Sequence, residues 1–222
     1  MAHFRLPQSI VHREEFLLSL CRGKRVLHLG CTDTPFTDES IAAERWLHAK
    51  LSGVAGECVG VDIDANAIRR LRDQYGVCNI VHGDAENLEA LDRGLFDVVV
   101  AGELIEHLGN PARFLASART VLRPDGLVAI TTTNAFCFRR MLRVSFGSES
   151  VHPDHCCYFS HSTLRRLVVS CGYSCVEQHN YRILHKRPLL PYIIEFLAMK
   201  VNANLGEGIV LLCKADPIAA KD

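Results

Sequence analysis

The chain has 222 residues, 48% of them apolar, enough for one domain with a full core. Its 25 basic and 25 acidic side chains balance, so nothing in the charge calls for a polyanionic partner, and nucleic acid is not favoured. The ten cysteines sit in apolar stretches, as at Cys58, Cys78 and Cys213, without paired C-x-x-C spacing or a leader-like segment; they read as reduced thiols of a cytoplasmic protein, not as a disulfide framework or a zinc ribbon.

Apolar residues Ile10, Val11, Phe16, Leu17 and Leu20 recur at helical spacing, predicting a leading helix over residues 9–21 that Gly23 stops. Residues 26–29 then read as a buried strand running into Gly30 and a run of small polar residues. Such a turn brings backbone N–H groups to the carboxyl edge of an open α/β sheet, where nucleotide-like ligands bind. Asp38 and Glu39 suit a helix N-terminus, and Ile41, Ala42, Trp46, Leu47 and Leu51 supply the buried stripe of one crossover helix. A second strand over residues 58–63 contains Asp62, about 30 residues on from the first turn, the length of one strand–helix–strand unit. Residues 65–75 read as a helix, and residues 78–81 as a third strand entering HGDAENL.

Residues 96–101, FDVVVA, form a near-continuous apolar run, the pattern of a central parallel strand covered on both faces. The run opens into GELIEHLGNP. A helix over 111–122 begins with Pro111, where the missing N–H is harmless, and ends before the turn Arg123-Pro124-Asp125-Gly126. A fifth strand follows at 127–131. Phe136, Phe138, Met141 and Leu142 suggest a helix over the sheet edge, with a loop at 147–150. Ser162 is the expected cap of a helix to Ser170 that Gly172 ends. Strands are expected at 175–178 and 209–214, separated by an apolar helix over 188–201. Pro191 and Glu195 break that segment, so no membrane span is predicted; it is instead a candidate homodimer face or lid. The whole pattern predicts a single domain over residues 1–222: α/β, doubly wound and Rossmann-like, mostly parallel with an antiparallel last strand.

In this order and spacing, VLHLGC, VGVDID, GDAENL, FDVVVAGELIEHLGNP and LRPDGLVAITTTN resemble the class I S-adenosylmethionine-dependent methyltransferases, over nearly the whole chain. The resemblance implies a seven-stranded sheet with its sixth and seventh strands as an antiparallel hairpin. It implies S-adenosyl-L-methionine lying across the carboxyl ends of the first, second and fourth strands. Gly30, with Cys31 and Thr32, would meet the amino-acid part of the donor, and Asp62, followed by Ile63, the ribose. Asp84 and the backbone of Ala85 would read the adenine, and Gly102 would lie under the methionine portion. His28 stands where the family usually has Asp or Glu, and Thr32 and Thr34 replace two loop glycines, with Thr hydroxyls and Asp33 as candidate substitutes for the lost contacts. On the residues alone, Asp62 could also cap the following helix and Asp84 could be a turn residue.

Glu103, Glu106 and His107 follow the fourth strand at spacings of three and four, which share one face of a helical turn. Two carboxylates and an imidazole suit a divalent metal, magnesium or zinc, and VHPDHCCYFS offers His152, Asp154 and His155 as further donors. This E-x-x-E-H pattern resembles the ubiquinone-biosynthesis O-methyltransferases and the enzymes that methylate the 2′-hydroxyl at the 3′ end of small RNAs. That resemblance implies Glu103, Glu106, His107 and His155 as ligands of a metal that holds the hydroxyls to be methylated. In the alternative reading the carboxylate and imidazole only brace the loop. Without a metal, His155 or His107 is the candidate general base. Phe136, Phe138, Tyr158 and Phe159 read either as the substrate wall or as core. The leading expectation is O-methylation of a small-molecule or glycan hydroxyl. The alternatives are RNA 3′-terminal 2′-O-methylation, a donor-binding subunit without catalysis, and a nicotinamide oxidoreductase, which the single glycine of the first loop disfavours.

Overall fold

The computed structural model describes residues 5–182 and 189–217. In chain order its strands and helices are β1 (Ile10–Val11), α1 (Arg13–Cys21), β2 (Arg25–Leu29), α2 (Thr37–Ala42), α3 (Leu47–Val54), β3 (Glu57–Asp62), α4 (Ala65–Tyr75), β4 (Ile80–His82), β5 (Phe96–Gly102), α5 (Pro111–Thr120), β6 (Leu122–Thr133), α6 (Phe138–Ser145), α7 (His161–Ser170), β7 (Tyr173–Tyr181), α8 (Leu189–Val201) and β8 (Gly208–Ala215). They build one sheet in the order β1-β7-β8-β6-β5-β2-β3-β4. β2, β3, β4, β5 and β6 run parallel, and β8 is inserted antiparallel between β6 and β7. This is the doubly wound sheet with an antiparallel hairpin that the sequence implies.

Both faces of the sheet are buried, which explains the continuous apolar run of β5. Val99 and Ala101 join Leu27, Leu29, Phe114 and Ile130 on one side. Val98 and Val100 join Val26, Leu17 and Leu51 on the other. Alternate residues of a strand point to opposite faces, so a strand covered twice has no polar positions to spare.

Several boundaries differ from the sequence reading: β7 spans Tyr173–Tyr181 rather than residues 175–178, β4 spans Ile80–His82 rather than residues 78–81, and α5 ends at Thr120 rather than residue 122. The sheet has eight strands, because Ile10 and Val11 pair parallel with Asn180 and Tyr181. The Asn180 amide donates to the carbonyls of Pro7 and Ser9, holding this stretch extended, and helix α1 starts only at Arg13, after the His12 cap. The first crossover is two helices rather than one. Trp46 leaves the expected helical stripe, and its Nε1 donates to Cys31 O at 2.8 Å, beneath the first loop. β6 reaches further in both directions than residues 127–131, with a register shift where Phe96 pairs with Leu122 and Val98 with Leu127. Helix α7 is capped by Ser160, not Ser162, in a reciprocal capping box with Thr163. The expected helix start at Pro188 lies outside the described residues.

Candidate active site

The carboxyl ends of β2, β3, β4 and β5 lie side by side, the edge at which open α/β sheets take ligands. At the end of β2 the loop needs two left-handed residues, Gly30 (φ 65°) and Asp33 (φ 57°). Thr32 and Thr34 are not among them, so threonines stand where glycines are usual without strain, and Asp tolerates this region better than most side chains.

Thr32 makes contacts that a glycine lacks. Its N–H and its Oγ1 both donate to Asp62 Oδ2, at 3.0 and 2.9 Å. Thr37 Oγ1 donates to Thr32 O at 2.7 Å, and Ser40 Oγ donates to the Asp33 carboxylate. The loop is tied from Cys31 to Asp33 and arrives at the edge preorganised.

His28 lies in the core below this loop, 3% exposed, stacked on His48 with ring centroids 5.5 Å apart. Burial above all, then the neighbouring His48 and Arg13, holds His28 well below the usual imidazole range. Burial likewise brings His48 down to about 4.

Asp62 does not cap the next helix. Asp64 does, accepting from the N–H groups of Asn66 and Ala67, while Asp62 Oδ1 accepts from Asp64 N at 3.0 Å. The half-buried Asp62 therefore joins the ends of β2 and β3. Beside it Ile63 is 70% exposed, a large apolar side chain standing in solvent at the edge. Asp84 does hold a turn, its carboxylate accepting from Glu86 N at 2.8 Å, with Ala85 half-buried next to it.

The end of β5 carries a residue that sequence reasoning missed. Arg13, at the start of α1, donates from Nε to Thr131 Oγ1 at 2.9 Å. A Cβ at Gly102 would lie 2.7 Å from its Nη2. The glycine thus makes room for a guanidinium over the strand end. Within the charged run HREE nothing in the spacing singles Arg13 out.

After Gly102 the chain turns sharply through Glu103 (φ 52°) into a short 3-10 turn, Ile105–His107. Leu104 covers Gly30, whose Cβ position lies 3.2 Å from Leu104 Cδ1. The two glutamates are engaged elsewhere. Tyr181 Oη donates to Glu103 Oε1. Glu106, fully buried, accepts from Thr132 Oγ1 at 2.8 Å and Thr133 N at 3.3 Å. Burial first, then the Glu103 charge, pushes the Glu106 carboxyl up to about 7.

The implied metal set Glu103, Glu106, His107 and His155 is therefore not brought to one point. Among the described residues, the potential ligands that do converge are His107, His152 and His155, with one ligating atom of each within 4.8 Å of the other two. His155 Nδ1 is buried without a hydrogen-bond partner. Burial, then the charges of His107 and His152, lowers His155 to about 4. Beside this loop a cavity of about 450 Å³ is lined by Phe136, Arg140, Met141, Val144, Glu149 and Tyr158. Phe136 is 61% exposed there, whereas Phe159 belongs to the core.

A family model described as a methyltransferase domain matches residues 1–178. The chain belongs to the class I S-adenosylmethionine-dependent methyltransferases. A Mycolicibacterium smegmatis protein named as a probable S-adenosylmethionine-dependent methyltransferase is 29% identical over 167 residues, 75% of this chain and 55% of that protein. A Burkholderia pseudomallei ubiquinone biosynthesis O-methyltransferase is 30% identical over 165 residues, 70% of this chain and 66% of that one. The methyltransferase chain thus spans 55% to 66% of the length of these curated relatives. Among solved structures, a SAM-dependent methyltransferase from Archaeoglobus fulgidus shares the fold with a TM-score of 0.60, at 19% identity and 91% coverage of both chains. Membership of this family overturns the nicotinamide oxidoreductase alternative. Among the described residues no helix is long and apolar enough to cross a membrane.

Proposed function

We propose that this methyltransferase binds S-adenosylmethionine along the edge formed by Gly30–Thr32, Asp62–Ile63, Asp84–Ala85 and Gly102, and transfers its methyl group to a hydroxyl oxygen of a small molecule or sugar. Asp62 accepts from the ribose hydroxyls in this reading, and exposed Ile63 covers the flat face of the adenine. Arg13, whose guanidinium lies over the end of β5 beside Gly102, is the cation assigned to the donor's carboxylate, and Gly102 leaves space for it.

Transfer breaks the sulfonium C–S bond with its electron pair staying on sulfur, and forms a C–O bond to the acceptor. The acceptor proton must leave with a base. His155, whose Nδ1 carries no hydrogen bond, is assigned as that base, and His107, packed edge-on at a ring distance of 4.6 Å, orients it. No step is assigned to a metal, because the glutamates implied as ligands are engaged elsewhere.

The observation that carries the O-methyl assignment is this imidazole pair, one short turn beyond the donor edge and beside an aromatic-lined cavity. The name of the Burkholderia relative supports the same class. The test is transfer of labelled methyl from the donor to a panel of phenols, catechols, sugars, amines and a 3′-terminal RNA oligonucleotide. Label is expected in methyl ethers of the small hydroxyl acceptors, falling roughly 100-fold or more in His155→Ala. Label confined to the amines or to the RNA refutes the assignment. Donor binding with no transfer to any acceptor points instead to a non-catalytic donor-binding subunit.

A further inference from the structure

We infer that His107, His152 and His155 form an all-imidazole site for a borderline divalent transition metal of the zinc type. Glu103 and Glu106 lie outside it. The site is independent of donor binding, but an ion held by His155 takes the ring lone pair that the reading above uses as a base, so bound metal and that base role exclude one another, and the site is tested by metal binding alone.

The placement rests first on backbone contacts far apart in sequence. The N–H groups of Cys156 and Cys157 both donate to Glu106 O, at 2.8 and 3.3 Å, stapling the histidine loop onto the 3-10 turn that ends in His107. His155 N donates to His152 O at 3.1 Å, closing a tight turn that brings the two histidines of HPDH to one side. The three rings meet with centroid separations of 4.6 Å (107 to 155), 5.1 Å (152 to 155) and 5.8 Å (107 to 152).

Zinc held by nitrogens at about 2.0–2.1 Å in tetrahedral geometry sets those nitrogens roughly 3.3 Å apart. The observed spread of up to 4.8 Å therefore closes with small ring rotations. His152 is exposed and His107 half-buried, so an ion has a path in. His155 Nδ1, buried and unpartnered, is a polar atom that such a closure can satisfy.

The donor set decides the metal class. Magnesium and calcium need oxygen ligands, and the two nearby carboxylates are committed to Tyr181 and to Thr132 and Thr133. Three imidazoles suit zinc, cobalt or nickel instead. Three protein ligands also leave a fourth position open, as in catalytic rather than structural zinc sites.

The test is calorimetric titration of the chelator-treated full chain with Zn²⁺, without donor, and a parallel Co²⁺ titration read by visible absorption. One equivalent of saturable binding is expected, with cobalt ligand-field bands and no thiolate charge-transfer band. His152→Ala and His152→Asn, at an exposed position that leaves folding intact by circular dichroism, are each expected to weaken Zn²⁺ at least about tenfold, whereas Glu103→Gln changes it by less than about threefold. Absence of saturable binding overturns the inference. So does a thiolate band, or loss of binding in Glu103→Gln with His152→Ala unaffected. Titration of the demethylated donor product into the same metal-free protein separates the two readings. Product binding without zinc binding removes the metal site and keeps the donor edge, and zinc binding without product binding does the reverse.

Discussion

Gly60, in β3, sits under the donor loop, and replacing it with alanine tests how tightly that loop is built on the core. A Cβ at Gly60 would lie 2.6 Å from Cys31 Sγ, 2.8 Å from His48 Cε1 and 2.9 Å from Ile80 Cγ1. All three neighbours are at most 2% exposed, so none can swing into solvent. Overpacking of this kind costs about 1–3 kcal/mol, and three simultaneous clashes put Gly60→Ala near the top of that range. The lower entropy of the unfolded alanine chain returns about 0.4–1 kcal/mol. The net loss is therefore about 2 kcal/mol, or roughly 4–8 °C in melting temperature for a chain of this size. The least costly relief is movement of Cys31, which precedes Thr32, so affinity for the demethylated donor product should fall as well.

Gly53 provides the control. It lies in helix α3 with nothing within 4 Å of its Cβ position, and Gly53→Ala should stabilise by about 0.5–1 kcal/mol without touching the site. Urea denaturation and calorimetry on both variants check the pair. Shifts of the same sign, or a Gly60→Ala change within about 0.5 kcal/mol, would refute the packing argument.

Two further outcomes follow from buried groups. His48 titrates near 6.5 when unfolded and at about 4 when folded. The native state thus binds fewer protons, and stability present above pH 6.5 is lost as pH falls toward 4. The gap corresponds to about 3 kcal/mol, so His48→Gln should flatten the decline of the urea midpoint between pH 6.5 and 4.5; an unchanged slope contradicts this. Thr32→Val removes the 2.9 Å bond to Asp62 while leaving the carboxylate in place. It should lower stability by about 1–3 kcal/mol, seen in thermal melting, with product affinity altered less than about threefold.

The sheet was legible because its strands are short apolar runs that end in Gly30, Asp62 and Gly102, and such signals are local. What escaped depends on contacts distant in sequence. Nothing near Ile10 shows that Asn180 will hold it extended. Trp46 looks like part of a helical stripe until Cys31 O is seen to accept from its indole. Asp62 and Asp64 are equivalent as caps on sequence alone, and Thr32 decides between them by claiming Asp62. The glutamates of E-x-x-E-H have the right spacing for one helical face, but the chain takes a left-handed residue at Glu103 and a 3-10 turn after it, which sends one carboxylate to Tyr181 and the other to Thr132. His152 and His155 were visible as candidates. Their meeting with His107 is set by Cys156 and Cys157 binding the carbonyl of Glu106.

The measurement that bears most directly on the donor edge is calorimetric titration of S-adenosylhomocysteine into wild type, Asp62→Ala and Asp64→Ala, with thermal melts confirming folding. Wild type should bind one equivalent. Loss of two hydrogen bonds from the ribose to a carboxylate should weaken Asp62→Ala by roughly 100-fold or more. Asp64→Ala, which loses only a helix cap, should stay within about threefold. No binding to wild type, or equal affinity in Asp62→Ala, would contradict the placement of the donor on this edge.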